Sequence, residues 1–156
     1  MTNVFLFGTL CWPPLLKRVA GQTCPQVEPA VLDGFSVTCA KGHSFPAIHE
    51  SVNEKAKGLL LRNCDEHVLL HLDHYESGFG YQLRPINLQT PQGIISAKVY
   101  LPPRGIEPGG PWVLKNWERE HGQLALEAAL EVMAVQGKMS AAEMMQRYPM
   151  MLVRAN

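Results

Sequence analysis

Short extended runs, each cut off by glycine or proline and interrupted once by a helical stretch, set the limits on how this chain can fold. Residues 4–7 are apolar and stop at Gly8, as a buried first strand would. Residues 30–39 read as a strand with a bulge or bend at Gly34, and residues 45–48 as an extended segment whose Pro46 belongs at a strand edge. Residues 58–62 form a further run. Residues 81–88 and 95–101 suit an antiparallel pair joined by the turn Pro91-Gln92-Gly93. In the last run Ile95, Ala97, Val99 and Leu101 alternate with Ser96, Lys98 and Tyr100, which gives two unlike faces. Six short strands around one helix over residues 65–76 predict an α+β fold, a small mixed β-barrel or strongly curved sheet.

A different pattern follows. Residues 102–111 are dense in proline and glycine and read as a stiff loop. Residues 116–137 carry the strongest helical pattern, with Trp117, Leu124, Ala128, Val132 and Val135 in register and Gly137 as the stop. Ser140 to Glu143 has the form of a capping box opening a last helix that Pro149 would end. Met144, Met145, Met150 and Met151 make that end apolar, suited to core packing or to a partner surface. The expectation is one domain over residues 1–156, with a barrel core at 4–101 and a helical extension at 112–156. The largely apolar finish of the tail, residues 151–156, fits either a packed terminus or continuity with a further domain.

Fourteen Lys plus Arg balance fourteen Asp plus Glu, so no global charge draws the chain to nucleic acid or to an anionic membrane. No window approaches the roughly 20 apolar residues of a membrane span. The first residues lack the basic start of a signal peptide, which makes the cytoplasm the expected compartment. Cys11, Cys24, Cys39 and Cys64 have neither C-x-x-C nor zinc-like spacing and are expected to stay reduced.

Glu76 is the residue that invites chemistry. On the 65–76 helix Val68, Leu69, Leu72 and Tyr75 share one side, and Glu76 projects from it, four residues beyond Leu72 and seven beyond Leu69. A carboxylate on a core-facing stripe loses hydration, so its pKa rises toward the range useful for proton transfer. The alternative is a helix that ends one residue early and turns Glu76 to water. His67, His71 and His74 line the opposite face, where they would be solvated or, as three imidazoles in a row, could bind zinc; solvation is the plainer reading, and no metal is expected. Cys11 could be a thiol nucleophile only with a histidine that nothing in the sequence identifies.

Taken together, the motifs resemble the γ-glutamylcyclotransferase-like (avirulence-induced-gene-like) family. Phe7-Gly8-Thr9-Leu10 is similar to its Tyr-Gly-Ser/Thr-Leu signature. Phe45-Pro46-Ala47-Ile48 and Lys57-Gly58-Leu59-Leu60 resemble its Tyr-Pro-Ala-Ile and x-Gly-x-Leu segments. Leu72-Asp73-His74-Tyr75-Glu76 with Tyr81-Gln82-Leu83-Arg84 resembles its Leu-Asp-x-x-Glu and tyrosine–arginine pattern, and Ala97-Lys98-Val99-Tyr100 its Ala-x-Val-Tyr strand. Five motifs in order cover residues 4–101. The part from Pro111-Trp112 onward is similar to bacterial forms joined to a Nudix-type hydrolase.

The resemblance implies intramolecular aminolysis. The substrate's own α-amino group attacks its γ-carbonyl, releasing 5-oxoproline and a free amine, with no metal or organic cofactor. Glu76 stands at the family's acid/base position. Phe7, Gly8, Thr9 and Leu10 would hold the glutamyl group through backbone N–H groups, beside Tyr81 and with Tyr100 within reach, although a tight turn with no ligand is the other reading of that tetrapeptide. Arg84 is expected to pair with an acidic side chain as scaffold or to orient a substrate group.

Three departures bear on this. Phe7 replaces a common tyrosine, Cys11 a common basic residue, and Ser77-Gly78-Phe79-Gly80 places two glycines and an aromatic before Tyr81, as a lid or a leaving-group wall. The alternative function is a non-catalytic small-molecule-binding or regulatory module of the same fold, perhaps docking a Nudix-type partner.

Overall fold

The computed structural model describes residues 1–23, 25–78 and 80–140 together with Glu143 and Gln146. In chain order the elements are β1 (Thr2–Leu6), α1 (Pro13–Ala20), β2 (Val27–Ala40), β3 (Pro46–Cys64), α2 (Glu66–Ser77), β4 (Gln82–Thr90), β5 (Gly93–Leu101), β6 (Pro108–Pro111) and α3 (Leu114–Ala134), with a short 3₁₀ turn at Thr9–Cys11. The strands run in the order β3-β1-β5-β4-β2-β6, and a further pairing of β2 with β3 closes the first five into a barrel. β1 is parallel to β5, and the other pairings are antiparallel. The chain thus forms the mixed α+β barrel expected, with β6 hung on the outside of β2.

Two strand assignments change. Residues 45–48 and 58–62, read as separate runs, belong to one strand, β3, paired with β2 from Val27↔Leu61 to Cys39↔Pro46. The pairing shifts between Asp33↔Lys55 and Phe35↔Glu50, so Gly34, at φ 81°, faces residues 51–54 across a local excursion. Ser51 Oγ donates to Glu54 Oε2 at 2.6 Å across its base. These middle residues are polar apart from the exposed Val52, and they bridge two stretches of β3 that are each paired with β2. The proline-rich loop also contains a strand. β6 is held by pairing of Thr38 with Pro111 and Ala40 with Pro108, and by Lys41 N–H on the Glu107 carbonyl at 2.9 Å.

Alternation along β1 divides the core in two. Phe5 and Phe7 point into the barrel with Leu32, Ile48, Leu60, Leu88 and Val99, while Val4 and Leu6 face outward onto the helices. Gly58 lets β3 approach β1: a Cβ there would lie 2.0 Å from the Leu6 carbonyl oxygen.

Over the outer face, α1 begins at two prolines and buries Leu15, Leu16, Val19 and Ala20. α3 buries Trp117, Ala125, Ala128, Ala129 and Val132, small residues that allow close helix approach. Leu124 was expected on this stripe but is half exposed, because the contact row runs through the alanines instead. Trp12 fixes α1 against α3: its ring meets Trp117 edge-on at 5.9 Å and would lie 3.0 Å from a Cβ on Gly122. Beyond α3, Gly137 has φ 81°, and Glu143 N–H donates to Ser140 Oγ at 3.1 Å, the side-chain half of the capping box. Cys24, Phe79, Met144, Met145, Pro149, Met150 and Met151 lie outside the described residues. Among the described residues, no helix is long and apolar enough to cross a membrane.

Candidate functional site

The site grows from the end of α2. Asp65 caps that helix by accepting the Val68 N–H at 2.9 Å, which fixes where the first turn starts and hence which way the last one points. Val68, Leu72 and Tyr75 are buried against the outer face of the barrel. Glu76, the next residue, opens into a cleft of about 370 Å³ counted out to its mouth.

The opposite wall is the turn after β1. There the Gly8 carbonyl accepts Cys11 N–H at 2.9 Å and the Thr9 carbonyl accepts Trp12 N–H at 3.0 Å, so the turn runs directly into α1. Gly8 packs on Pro46; a Cβ in its place would come within 2.8 Å of the proline ring. A substitution would therefore push the turn away from β3. Tyr81 donates its hydroxyl to the Pro46 carbonyl at 3.3 Å, and Tyr100 donates to Asp73 Oδ1 at 2.5 Å.

Phe7, Gly8, Thr9, Leu10, Glu76, Tyr81 and Tyr100, seven residues picked out from separate motifs, line this one cleft. Phe5, Leu6 and Pro46 complete its lining and were not singled out. Pro46 lies in the Phe-Pro-Ala-Ile segment, so the motif could have yielded it. Asp73, which anchors Tyr100, was also missed; its place three residues before Glu76 on the same helix was the available clue.

Burial in the cleft raises the Glu76 carboxyl to about 8, so near neutral pH it exchanges a proton readily. It is partly exposed, toward the cleft rather than across an open surface. Burial likewise holds Tyr75 well above the ordinary phenol range, with the Glu76 charge adding to the effect and a hydrogen bond with Thr9 opposing it. Tyr100 is raised by burial first and by Asp73 second. Both phenols stay protonated where Glu76 titrates. The cleft therefore offers one titrating carboxyl among neutral hydroxyls and the start of a helical turn, whose first N–H groups have no partner within the turn.

Other sequence candidates fall elsewhere. His71 and His74 are not on a solvated face. His74 Nε2 donates to the Val132 carbonyl at 2.7 Å, and His71 Nδ1 lies 3.4 Å from the Ala20 carbonyl, because α1 and α3 cover the side of α2 opposite the barrel. His67 is exposed and rests on the His71 ring at 4.3 Å. No group of three or more His, Cys, Asp or Glu side chains poised for a metal occurs among the described residues. Cys11 Sγ donates to the Leu6 carbonyl at 3.2 Å, and burial pushes its thiol up to about 12, far from a reactive thiolate. Arg84 donates to Gln82 Oε1 at 2.5 Å rather than to an acidic side chain.

Comparison with known proteins agrees with this architecture. The family model for gamma-glutamyl cyclotransferase, AIG2-like proteins matches residues 4–119. The chain is 26% identical over 136 residues to AIG2-like protein B of Arabidopsis thaliana, covering 84% of this chain and 77% of that one. A solution structure of another Arabidopsis thaliana protein superposes with a TM-score of 0.62 at 24% identity, over 89% of this chain and 94% of that one. An AIG2-like protein of Mus musculus superposes with a TM-score of 0.56 at 18% identity, over 72% of this chain and 88% of that one. The two superpositions establish a common fold.

Proposed function

The chain belongs to the gamma-glutamyl cyclotransferase, AIG2-like family, and from that premise we propose that it is an enzyme catalysing intramolecular aminolysis of a γ-glutamyl amine or peptide. In this reading the glutamyl group enters the cleft with its α-carboxylate on the backbone N–H groups of the Gly8-Thr9-Leu10 turn. Held folded, its α-amino group approaches its own γ-carbonyl, so attack is unimolecular and requires no protein nucleophile.

Ionised Glu76 accepts a proton from the substrate ammonium. The freed amine forms a C–N bond to the γ-carbon, whose oxygen takes the electron pair of the carbonyl. N–H donors at the start of the turn stabilise that oxyanion. As the tetrahedral centre collapses, protonated Glu76 gives its proton to the departing nitrogen and the original amide bond breaks. The second proton of the ring nitrogen then passes through the ionised Glu76 to the free amine, which leaves as its ammonium. The products are 5-oxoproline and a free amine; no water is consumed and Glu76 ends ionised. Tyr100 stays protonated, and Tyr81 and Tyr100 shape the cleft. A cytoplasmic setting goes with this reading, since Cys11 and Cys39 are thiols and not half-cystines.

The observation that carries the proposal is a carboxyl raised to about 8 by burial, in the same cleft as the glycine turn. The test is 5-oxoproline release from γ-glutamyl amino acids, γ-glutamyl-lysine conjugates and glutathione. Wild type should release it from at least one. Glu76→Gln should lower kcat by about 10²–10⁴-fold, the range lost with a general acid–base group, and kcat/KM should rise with pH through an inflection near 8. A folded protein that releases none, yet gains thermal stability with a glutamyl ligand, would be a binding module instead.

A further inference from the structure

Of the three histidines along α2, His74 is committed to the helix layer, its Nε2 donating to the Val132 carbonyl. His67 and His71 remain as a pair. Their spacing of four residues puts both side chains on one face of the helix, a turn apart, and the rings meet with centroids 4.3 Å apart. His67 is exposed and makes no hydrogen bond among the described residues. His71 is held in place. Its ring packs on Gly21, where a Cβ would lie 3.5 Å from Cε1 and Nδ1, and Nδ1 faces the Ala20 carbonyl at 3.4 Å.

That contact fixes the chemistry of the ring. A carbonyl oxygen only accepts, so in the neutral imidazole the proton belongs on Nδ1 and the lone pair on Nε2. Metal-binding histidines are oriented in this way, donating one ring N–H to a backbone carbonyl and offering the other nitrogen to the ion. The local charges also favour a cation. The first turn of a helix is its positive end, but Asp65 and Glu66 add two carboxylates there. Ala20 is the last residue of α1, so the negative end of that helix meets the pair. Lys17 and Arg18 oppose this from the same turn of α1, but both are exposed and screened by solvent.

We propose that His67 and His71 form a surface site for one divalent transition ion of the zinc or nickel class, bound through two imidazole nitrogens. Imidazole is a preferred ligand of these ions, and a bond from histidine to zinc spans about 2.0–2.1 Å. Two rings already in contact share an ion after a turn of the exposed His67 side chain alone. No third His, Cys, Asp or Glu is poised with them among the described residues, so water fills the remaining positions. The ion is therefore exchangeable and does not hold the fold together, unlike a closed four-ligand zinc site. The cyclotransferase reading neither requires this site nor depends on it.

The experiment is calorimetric titration of the untagged protein with NiCl₂, ZnCl₂ and MgCl₂ at about pH 7.5, where an ordinary imidazole is mostly neutral. Nickel and zinc should each bind at one ion per chain, and magnesium, which prefers oxygen ligands, should not bind. His67→Ala and His71→Ala should each weaken nickel binding by tenfold or more. His43→Ala, in the loop between β2 and β3, should leave it unchanged. Because His71 also packs on α1, the exposed His67 is the deciding position if the His71 variant fails to fold. Absence of nickel and zinc binding by wild type, or binding that His67→Ala leaves intact, would overturn the proposal.

Discussion

The inside of the barrel and the layer between barrel and helices are built on the same strands yet do different work. The interior is closed by Phe5, Leu32, Ile48, Leu60, Leu88 and Val99, apolar side chains with nothing to titrate. The outer layer, from Val4 and Leu6 across to α1, α2 and α3, also contains Tyr75, Tyr81, Tyr100 and Cys64, and Glu76 lies at its edge. A closed ring of strands satisfies its backbone internally and needs only packing within. The helix-backed face, by contrast, has a rim where the turn after β1 and the end of α2 leave a gap. Chemistry gathers at that rim because a side chain there can be desolvated and still meet a ligand.

The contrast can be broken first from the interior. Leu88 is fully buried among apolar neighbours, so Leu88→Ala should cost about 2–5 kcal/mol in denaturant unfolding. The surviving folded protein should keep the inflection near pH 8, since Leu88 is not among the residues that line the cleft; loss of the inflection would show that the two regions are not separable.

The outer layer gives a smaller, pH-dependent signature. The Glu76 pKa is raised from 4.5 to about 8, so between those values the unfolded chain ionises while the folded one stays protonated. Its contribution to stability therefore falls as pH rises across that window, and is absent below it. Glu76→Gln removes this loss. The variant should match wild type below about pH 4.5 and exceed it above pH 8, by on the order of 2 kcal/mol given that the carboxyl is partly exposed. Thermal melts of both proteins across pH 4 to 9 would read it; a constant gap would mean the carboxyl is not desolvated.

Tyr100→Phe should cost about 1 kcal/mol by removing the hydrogen bond to Asp73, with a modest effect on turnover. Smallest is Asp65→Ala, which removes the cap of α2 and should cost about 0.5–1 kcal/mol. If it also lowers kcat, the register of α2 aims Glu76; if stability alone changes, the barrel face holds the helix in place.

Much of the barrel was legible because its inner strands alternate: the pattern from Ile95 to Leu101 matches β5, and Gly34 marks the irregularity in β2. The continuity of β3 was not, since residues 49–57 are mostly polar, and pairing with β2 on either side of residues 51–54 is what joins the two runs. β6 was invisible for a related reason. Pro108-Gly109-Gly110-Pro111 has no apolar side chain to alternate, and only backbone bonds define it.

Within the site, spacing along α2 indicated the direction of Glu76, and ordered motifs named most of the cleft lining. Helical periodicity reports one apolar side and cannot say that a second layer covers the other. His71 and His74 looked solvated for that reason, although the ends of α1 and α3 meet them.

The sequence by itself determined the local rules: the cap at Asp65, the glycine at position 58 where a Cβ has no room, the two faces of β5, and an acidic residue following an apolar stripe. Tertiary structure alone decided that this acid faces a cleft and that burial there raises its pKa to about 8. Desolvation and charge are properties of the space around a group. That space exists only once the turn after β1, the end of α2 and the barrel rim have been brought together.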